Sequence, residues 1–141
     1  MPRADRLSPG GVKLLQEKHL ATIATIMPDG SPQATPVWVD VEPDGTHILV
    51  NTVVGHLKDK NIARDPRVAL TVIDAQNPFR SLVVRGIVVE KRGPEAGATD
   101  HIHMLAKKYT GRDRYQFRRE GEARVILRIK PTHVFERGTD A

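Results

Sequence analysis

Apolar and polar residues change period several times along this chain. After Ser8-Pro9, a pair suited to the cap and first turn of a helix, "GGVKLLQEKH" sets Val12, Leu15 and His19 on one helical stripe with Leu14 beside it. A short helix ending near Lys18 is predicted. Three apolar segments follow, Leu20–Met27, Ala34–Val41 and His47–Asn51, separated by "PDGS" and "EPDGT". Pro, Asp and Gly between β-branched runs supply turn geometry, so two successive hairpins and a three-strand antiparallel meander are predicted.

A short helix over Leu57–Arg64 comes next, ended by Pro66 through its restriction on Asp65. "RVALTVID" alternates Val68, Leu70 and Val72 against Ala69, Thr71 and Ile73. "NPF" reads as a turn, and "RSLVVRGIVVEKR" as a long strand in which Gly86 marks a bulge or a close backbone approach. "GPEAGATDHIHMLAKKYTG" reads as a helix with a glycine stop after Thr110. "GRDRYQFRREGE" is a basic linker or helix, and "ARVILRIKPTHVFER" is a strand through Val125, Leu127 and Ile129 whose end Pro131 restricts. The result is a mainly β, α+β chain of six or seven antiparallel strands with short helices between them. Turn spacing of this kind suits a small barrel or sandwich; the inserted helices disfavour a pure sandwich, and a closed or split barrel hides sheet edges.

Composition narrows the picture. At 141 residues the chain, 1–141, is expected to be one domain. With three Phe, two Tyr and one Trp, the core must rest on Val, Ile, Leu and Ala, which points to a second subunit completing part of it. There is no cysteine, so disulfide and thiolate chemistry are excluded. No apolar run approaches the ~20 residues of a membrane helix, and "MPRADRLSPGG" lacks the apolar stretch of a signal peptide, so a cytoplasmic protein is expected. A formal charge of +5, from 22 Lys+Arg against 17 Asp+Glu, favours anionic ligands. The cations are spread out and stacking aromatics are scarce, so nucleic acid is not an expected partner. The "HIH" at His101 and His103 does not place both rings on one helix face, and no third ligand has recognisable spacing, so no metal is expected. His19, His47 and His133 read as strand-end or surface residues.

The stretch "NTVVGHLKDKNIARDPRVALTV" concentrates the chemistry. Gly55 permits a bend after the strand. A helix starting near Leu57 presents free backbone N–H groups there, suited to an anion. Lys58 or Lys60 adds full charge, and Thr52 and Asn61 add neutral hydrogen bonds. A solvated amphipathic turn accounts for the same spacing.

Three blocks, "LATIATIMPDGSPQATPVWV", "T…K..NIARDPRVALTV" and "VVRGIV", resemble the pyridoxamine-5′-phosphate-oxidase-like split-barrel family, and within it the small flavin- or deazaflavin-dependent oxidoreductases. The resemblance runs from about Leu7 to Val134. It implies a split β-barrel homodimer with two cofactors in grooves between the subunits. It puts Lys58 on the family's phosphate-binding lysine, Asn61 on the recurring Asn one turn later, and Thr52 beside the phosphate, with Asn51, Gly55, His56 and Leu57 in the same cofactor-binding segment. Thr35, Pro36, Val37 and Trp38 fall on the strand that runs along the isoalloxazine-type ring. His56 stands where some relatives carry Arg. The resemblance favours the deazaflavin coenzyme F420 over FMN, and a hydride transfer to an electron-poor small molecule. Arg64, Arg67, Arg114, Arg118 and Arg119 are possible partners for an anionic cofactor tail, and equally a solvated charged surface. His101, His103 and Tyr109 are candidates for proton delivery if their segment lies over the pocket; no catalytic residue is assigned. A module that binds a flavin or haem without turnover is the rival reading.

Overall fold

Ser8 sets the start of the first helix. Its hydroxyl accepts the Gly11 N–H at 3.1 Å and Pro9 occupies the first turn, giving α1 (Pro9–Gln16). Leu14 and Leu15 of this helix are fully buried. The Glu136 carboxylate takes the Ser8 N–H at 2.9 Å and its hydroxyl at 2.6 Å, tying α1 to the last strand. The computed structural model describes residues 5–117 and 119–139.

The remaining elements are β1 (Ala21–Ile26), β2 (Pro32–Val37), β3 (Val39–Val41), β4 (Ile48–Val53), α2 (Leu57–Arg64), β5 (Arg67–Asp74), β6 (Asn77–Arg92), α3 (Ala98–Thr110) and β7 (Arg124–Arg137). Every recorded pairing is antiparallel, in the order β2-β1-β5-β6-β7-β4-β3. The two ends of that order, β2 and β3, are separated in sequence by Trp38 alone. A right-twisted sheet whose first and last strands are sequence neighbours must curl back on itself, and the result is a split β-barrel.

This arrangement corrects the predicted meander. Ala34–Val41 is not one strand: it breaks at Trp38, and its halves serve different partners. The first pairs with β1 (Ile23 opposite Thr35) and the second with β4 (Asp40 opposite Leu49). Two smaller corrections follow. The β5–β6 turn is at Ala75–Gln76, and "NPF" continues as strand. Pro131 does not end β7, because its missing N–H falls where the ladder with β6 slips, between Arg85 and Gly86. Of the two readings of the basic segment after Thr110, its described residues follow the linker, with turns and bends. Gly86 marks the predicted close approach: a Cβ there would lie 2.6 Å from the Lys130 carbonyl oxygen.

The core is aliphatic, as the composition requires. Ile23, Leu70, Leu82, Ile48, Leu127 and Ile129 converge inside the curl, each at most 2% exposed. Val68, Leu70 and Val72 point inward on β5 while Arg67 and Thr71 point out. On the outside of the same strands Ile73, Val83, Ile87, Val89 and Phe135 remain exposed, and Val83 lies directly opposite Phe135. No helix among the described residues is long and apolar enough to cross a membrane.

Candidate anion and cofactor site

Strand β4 leaves the core at Val53, and the chain turns at Gly55, whose φ of +88° favours glycine. The Gly55 N–H donates to Asp59 Oδ2 at 2.9 Å, and Lys91 Nζ holds the other carboxylate oxygen at 2.7 Å. Burial would raise the Asp59 carboxyl, but the bonds from Lys91 and Gly55 outweigh it and hold it below its usual range. Helix α2 begins at Leu57 behind His56. Asn61 and Ile62 press it onto the barrel: the Asn61 amide donates to Thr25 Oγ1 at 3.0 Å, and Arg64 donates to the Ile26 carbonyl.

Lys58, on the first turn of α2, lines a cavity of about 560 Å³. Pro36, Val37 and Trp38 supply one wall from the barrel's break, and Asn51, Thr52 and Val53 of β4 supply another. Ile102 and Leu105 of α3 close the side. Tyr115, Phe117, Arg119, Glu122 and Arg124 come from the segment that leads into β7. The aromatic wall is ordered by ring contacts. Trp38 stacks on Tyr109 at 5.3 Å and 5°, Tyr115 meets Trp38 edge-on at 5.8 Å, and Phe117 meets Tyr115 at 5.8 Å. The Tyr109 hydroxyl accepts the Val39 N–H and donates to the His19 carbonyl at 2.6 Å, which fixes the stack from beneath.

The electrostatics centre on two cations. Lys58 is half-buried and lowered from its ordinary value, first by burial and then by the charge of Arg124. Arg124 lies over the Tyr115 ring at 4.7 Å and donates to Asn51 Oδ1 at 3.3 Å. Among the described residues no carboxylate pairs with either cation. Glu122 instead meets His56 at 3.6 Å and accepts the Arg119 N–H. Two like charges at the edge of an aromatic-walled cavity, neither paired with a described carboxylate, form a place where an anion is stabilised.

Of the residues expected to bind cofactor, the fold brings Pro36, Val37, Trp38, Asn51, Thr52, His56 and Lys58 to one cavity. Thr35, Gly55, Leu57 and Asn61 do not line it. Asn61, 1% exposed, is engaged by Thr25, Met27 and Arg64, so it holds the helix in place. Among the candidate tail partners Arg119 lines the cavity. Arg64 and Arg67 are committed to Ile26, Asn61 and Asp65, Arg114 is exposed, and Arg118 lies outside the described residues. His101 and Tyr109 sit behind the lining, and His103 accepts the Tyr115 N–H at 3.0 Å. Sequence reasoning missed Arg124, Tyr115 and Phe117. Only the pairing of Val53 with Arg124 across β4 and β7 places that segment here, and no local pattern records it.

His19 also departs from expectation, being 8% exposed. With Glu17 and Asp74 it forms a triad whose ligand atoms lie within 4.8 Å. Arg80 already bridges the two carboxylates, at 2.6 and 3.0 Å, and offsets one of their charges, while the His19 ring accepts the Ala75 N–H.

Comparison with known proteins gives a consistent picture. The chain is 28% identical over 126 residues to an F420H(2)-dependent biliverdin reductase of Mycobacterium tuberculosis (strain CDC 1551 / Oshkosh), covering 89% of this chain and 84% of that one. A solved F420 reductase superposes with a TM-score of 0.74 at 29% identity, over 92% of this chain and 98% of the other. A conserved hypothetical protein from Mycobacterium tuberculosis superposes with a TM-score of 0.70 at 25% identity, over 99% and 90%. The sequence profile of pyridoxamine 5′-phosphate oxidase matches residues 11–138. With that match spanning nearly the whole split barrel, the chain belongs to the pyridoxamine 5′-phosphate oxidase family.

Proposed function

We propose that this protein is an oxidoreductase that binds the deazaflavin coenzyme F420 and transfers a hydride between it and an electron-poor small molecule. The observation that carries the reading is the pairing of Lys58 and Arg124, two cations without a carboxylate partner at the edge of the cavity. An anionic group seated there would relieve their mutual repulsion, and the first-turn N–H groups of α2 would add to its field. The wall of Trp38, Tyr115 and Phe117 suits a flat conjugated ring. The donors therefore fit a cofactor with a phosphate at one end and an aromatic ring system at the other. Similarity to two proteins named for F420 favours the deazaflavin, and family membership keeps FMN as the second candidate.

Bound F420 supplies the hydride chemistry. The protein's own residues would hold and shield it: Lys58 and Arg124 would fix the anion, Pro36 and Val37 would flank the ring, and Ile102 and Leu105 keep that side of the cavity apolar. His56 and Glu122 lie 3.6 Å apart in the same lining. The exposed apolar stripe of Ile73, Val83, Ile87, Val89 and Phe135 fits a second copy of the chain, so the assembly proposed is a homodimer. Equilibrium titration with F420 and with FMN, followed by the cofactor's own emission, tests the reading. Micromolar binding of F420, and oxidation of its reduced form by added acceptors faster than without protein, are expected. Binding of neither cofactor would remove the proposal.

A further inference from the structure

Behind the cavity four side chains from four elements form a continuous chain of hydrogen bonds: Asp40 of β3, His101 of α3, Asn51 of β4 and Arg124 of β7. Their geometry fixes each donor and acceptor. The Asn51 amide nitrogen lies 2.9 Å from the Ala98 carbonyl oxygen, which can only accept, so this end of the amide is the NH₂. The same nitrogen lies 3.1 Å from His101 Nδ1, which must then offer a lone pair. The ring proton is left on Nε2, and Asp40 Oδ2 receives it at 3.1 Å. Asn51 Oδ1 is thereby turned toward Arg124 and accepts its Nη1 at 3.3 Å.

We propose that His101 and Asp40 are positioning residues for the anion site: with the Ala98 carbonyl they hold Asn51 in the one amide orientation that aims Arg124 into the cavity beside Lys58. The inference rests on the function proposed above. A flipped Asn51 would present an NH₂ to a guanidinium, donor against donor, and Arg124 would lose its only polar anchor among the described residues. His101 is 7% exposed and does not line the cavity, so it acts through Asn51 and not on a ligand. Asp40 is suited to its part. Burial would raise its carboxyl, but the bonds from His101 and the Val41 N–H, with the charge of Lys108, hold it below its usual range. The charged groups around the imidazole are thus Asp40 from β3, Lys108 from its own helix and Arg124 beyond Asn51; β4 presents only the neutral amide.

A plain packing role would tie α3 to the sheet without affecting the ligand, and two variants separate the readings. In His101→Gln the Gln oxygen can accept from Asn51 and its NH₂ can donate to Asp40, so the chain of bonds survives. In His101→Leu it cannot. Dissociation constants for F420 and for FMN are measured for wild type and both variants. The expected result is binding weakened about fivefold or more in His101→Leu and within about twofold of wild type in His101→Gln. If His101→Leu fails to fold, a second pair decides the matter: Asp40→Leu, which takes the acceptor from Nε2–H, is expected to weaken binding about fivefold or more, and Asp40→Asn, whose oxygen still accepts, to stay within about twofold. A folded His101→Leu or Asp40→Leu that binds like wild type, or a His101→Gln as weak as His101→Leu, overturns the inference alone. Wild-type protein that binds neither cofactor overturns the proposed function and this inference with it.

Discussion

Replacing Lys58 by Met should pull stability and binding in opposite directions. In the ligand-free protein the ammonium is half-buried, repelled by Arg124 and unpaired by any described carboxylate. Methionine keeps an unbranched apolar stem in the same place and removes the charge. Relief of burial and repulsion, discounted for the exposed part of the side chain, should stabilise the ligand-free fold by on the order of 0.5 kcal/mol. Binding goes the other way. A lysine about 4 Å from a phosphate oxygen gains ~4 kcal/mol at an effective dielectric constant near 20. Half exposure leaves about 2 kcal/mol, or roughly thirtyfold in dissociation constant. Urea unfolding of the ligand-free variant and titration with F420 and FMN measure the two effects on one preparation. A variant that binds within about threefold of wild type, or whose ligand-free form loses more than about 1 kcal/mol, refutes the reasoning. Either result would mean that Lys58 serves the fold and not an anion.

Gly86→Ala puts a methyl 2.6 Å from the Lys130 carbonyl and 2.9 Å from Ile129 Cγ2, where rigid backbone must move. A loss of about 2 kcal/mol, read from the urea midpoint, is expected. Tyr109→Phe removes a hydroxyl that serves the Val39 N–H and the His19 carbonyl. It should cost about 1–3 kcal/mol by leaving the buried N–H unpaired, measured by denaturant unfolding at constant slope. Burial pushes the Lys108 ammonium down to about 8 against the pull of Asp40. Between pH 8 and its ordinary 10.5 the unfolded chain therefore binds more protons, and stability should rise with pH across that window. Unfolding midpoints of wild type and Lys108→Met between pH 7.5 and 9.5 check the sign, and the rise should be absent from the variant.

The local elements were legible because their signals are local. Ser8-Pro9 starts α1, Gly111 ends α3, and α2 runs over Leu57–Arg64 as its Gly55 and Pro66 boundaries require. Alternation on β5 identified the inward residues. Spacing alone left barrel and sandwich both open, and the family resemblance selected the barrel. What pattern could not show is pairing over distance. Alternation in Ala34–Val41 says nothing about the two halves having different neighbours, so the break at Trp38 was hidden. Asn51 meets Arg124 across 73 positions of chain, and that contact completes the cation pair. Pro131 misled for a related reason: a missing N–H ends a strand only where the ladder needs it, and the bulge opposite Gly86 removes that need. Asn61 reads as a ligand by its place in the motif, yet its amide is spent on Thr25. A residue type at a spacing does not say which way the side chain turns.

The point where the curled sheet fails to meet itself holds the one indole in the chain. That residue is at once the seam between the first and last strands, a part of the cavity wall and the upper partner of a ring stack. Ultraviolet emission from this protein therefore originates at the seam, and widening or narrowing of the barrel must register there. The fold has in effect put its optical label in the wall of the cavity itself.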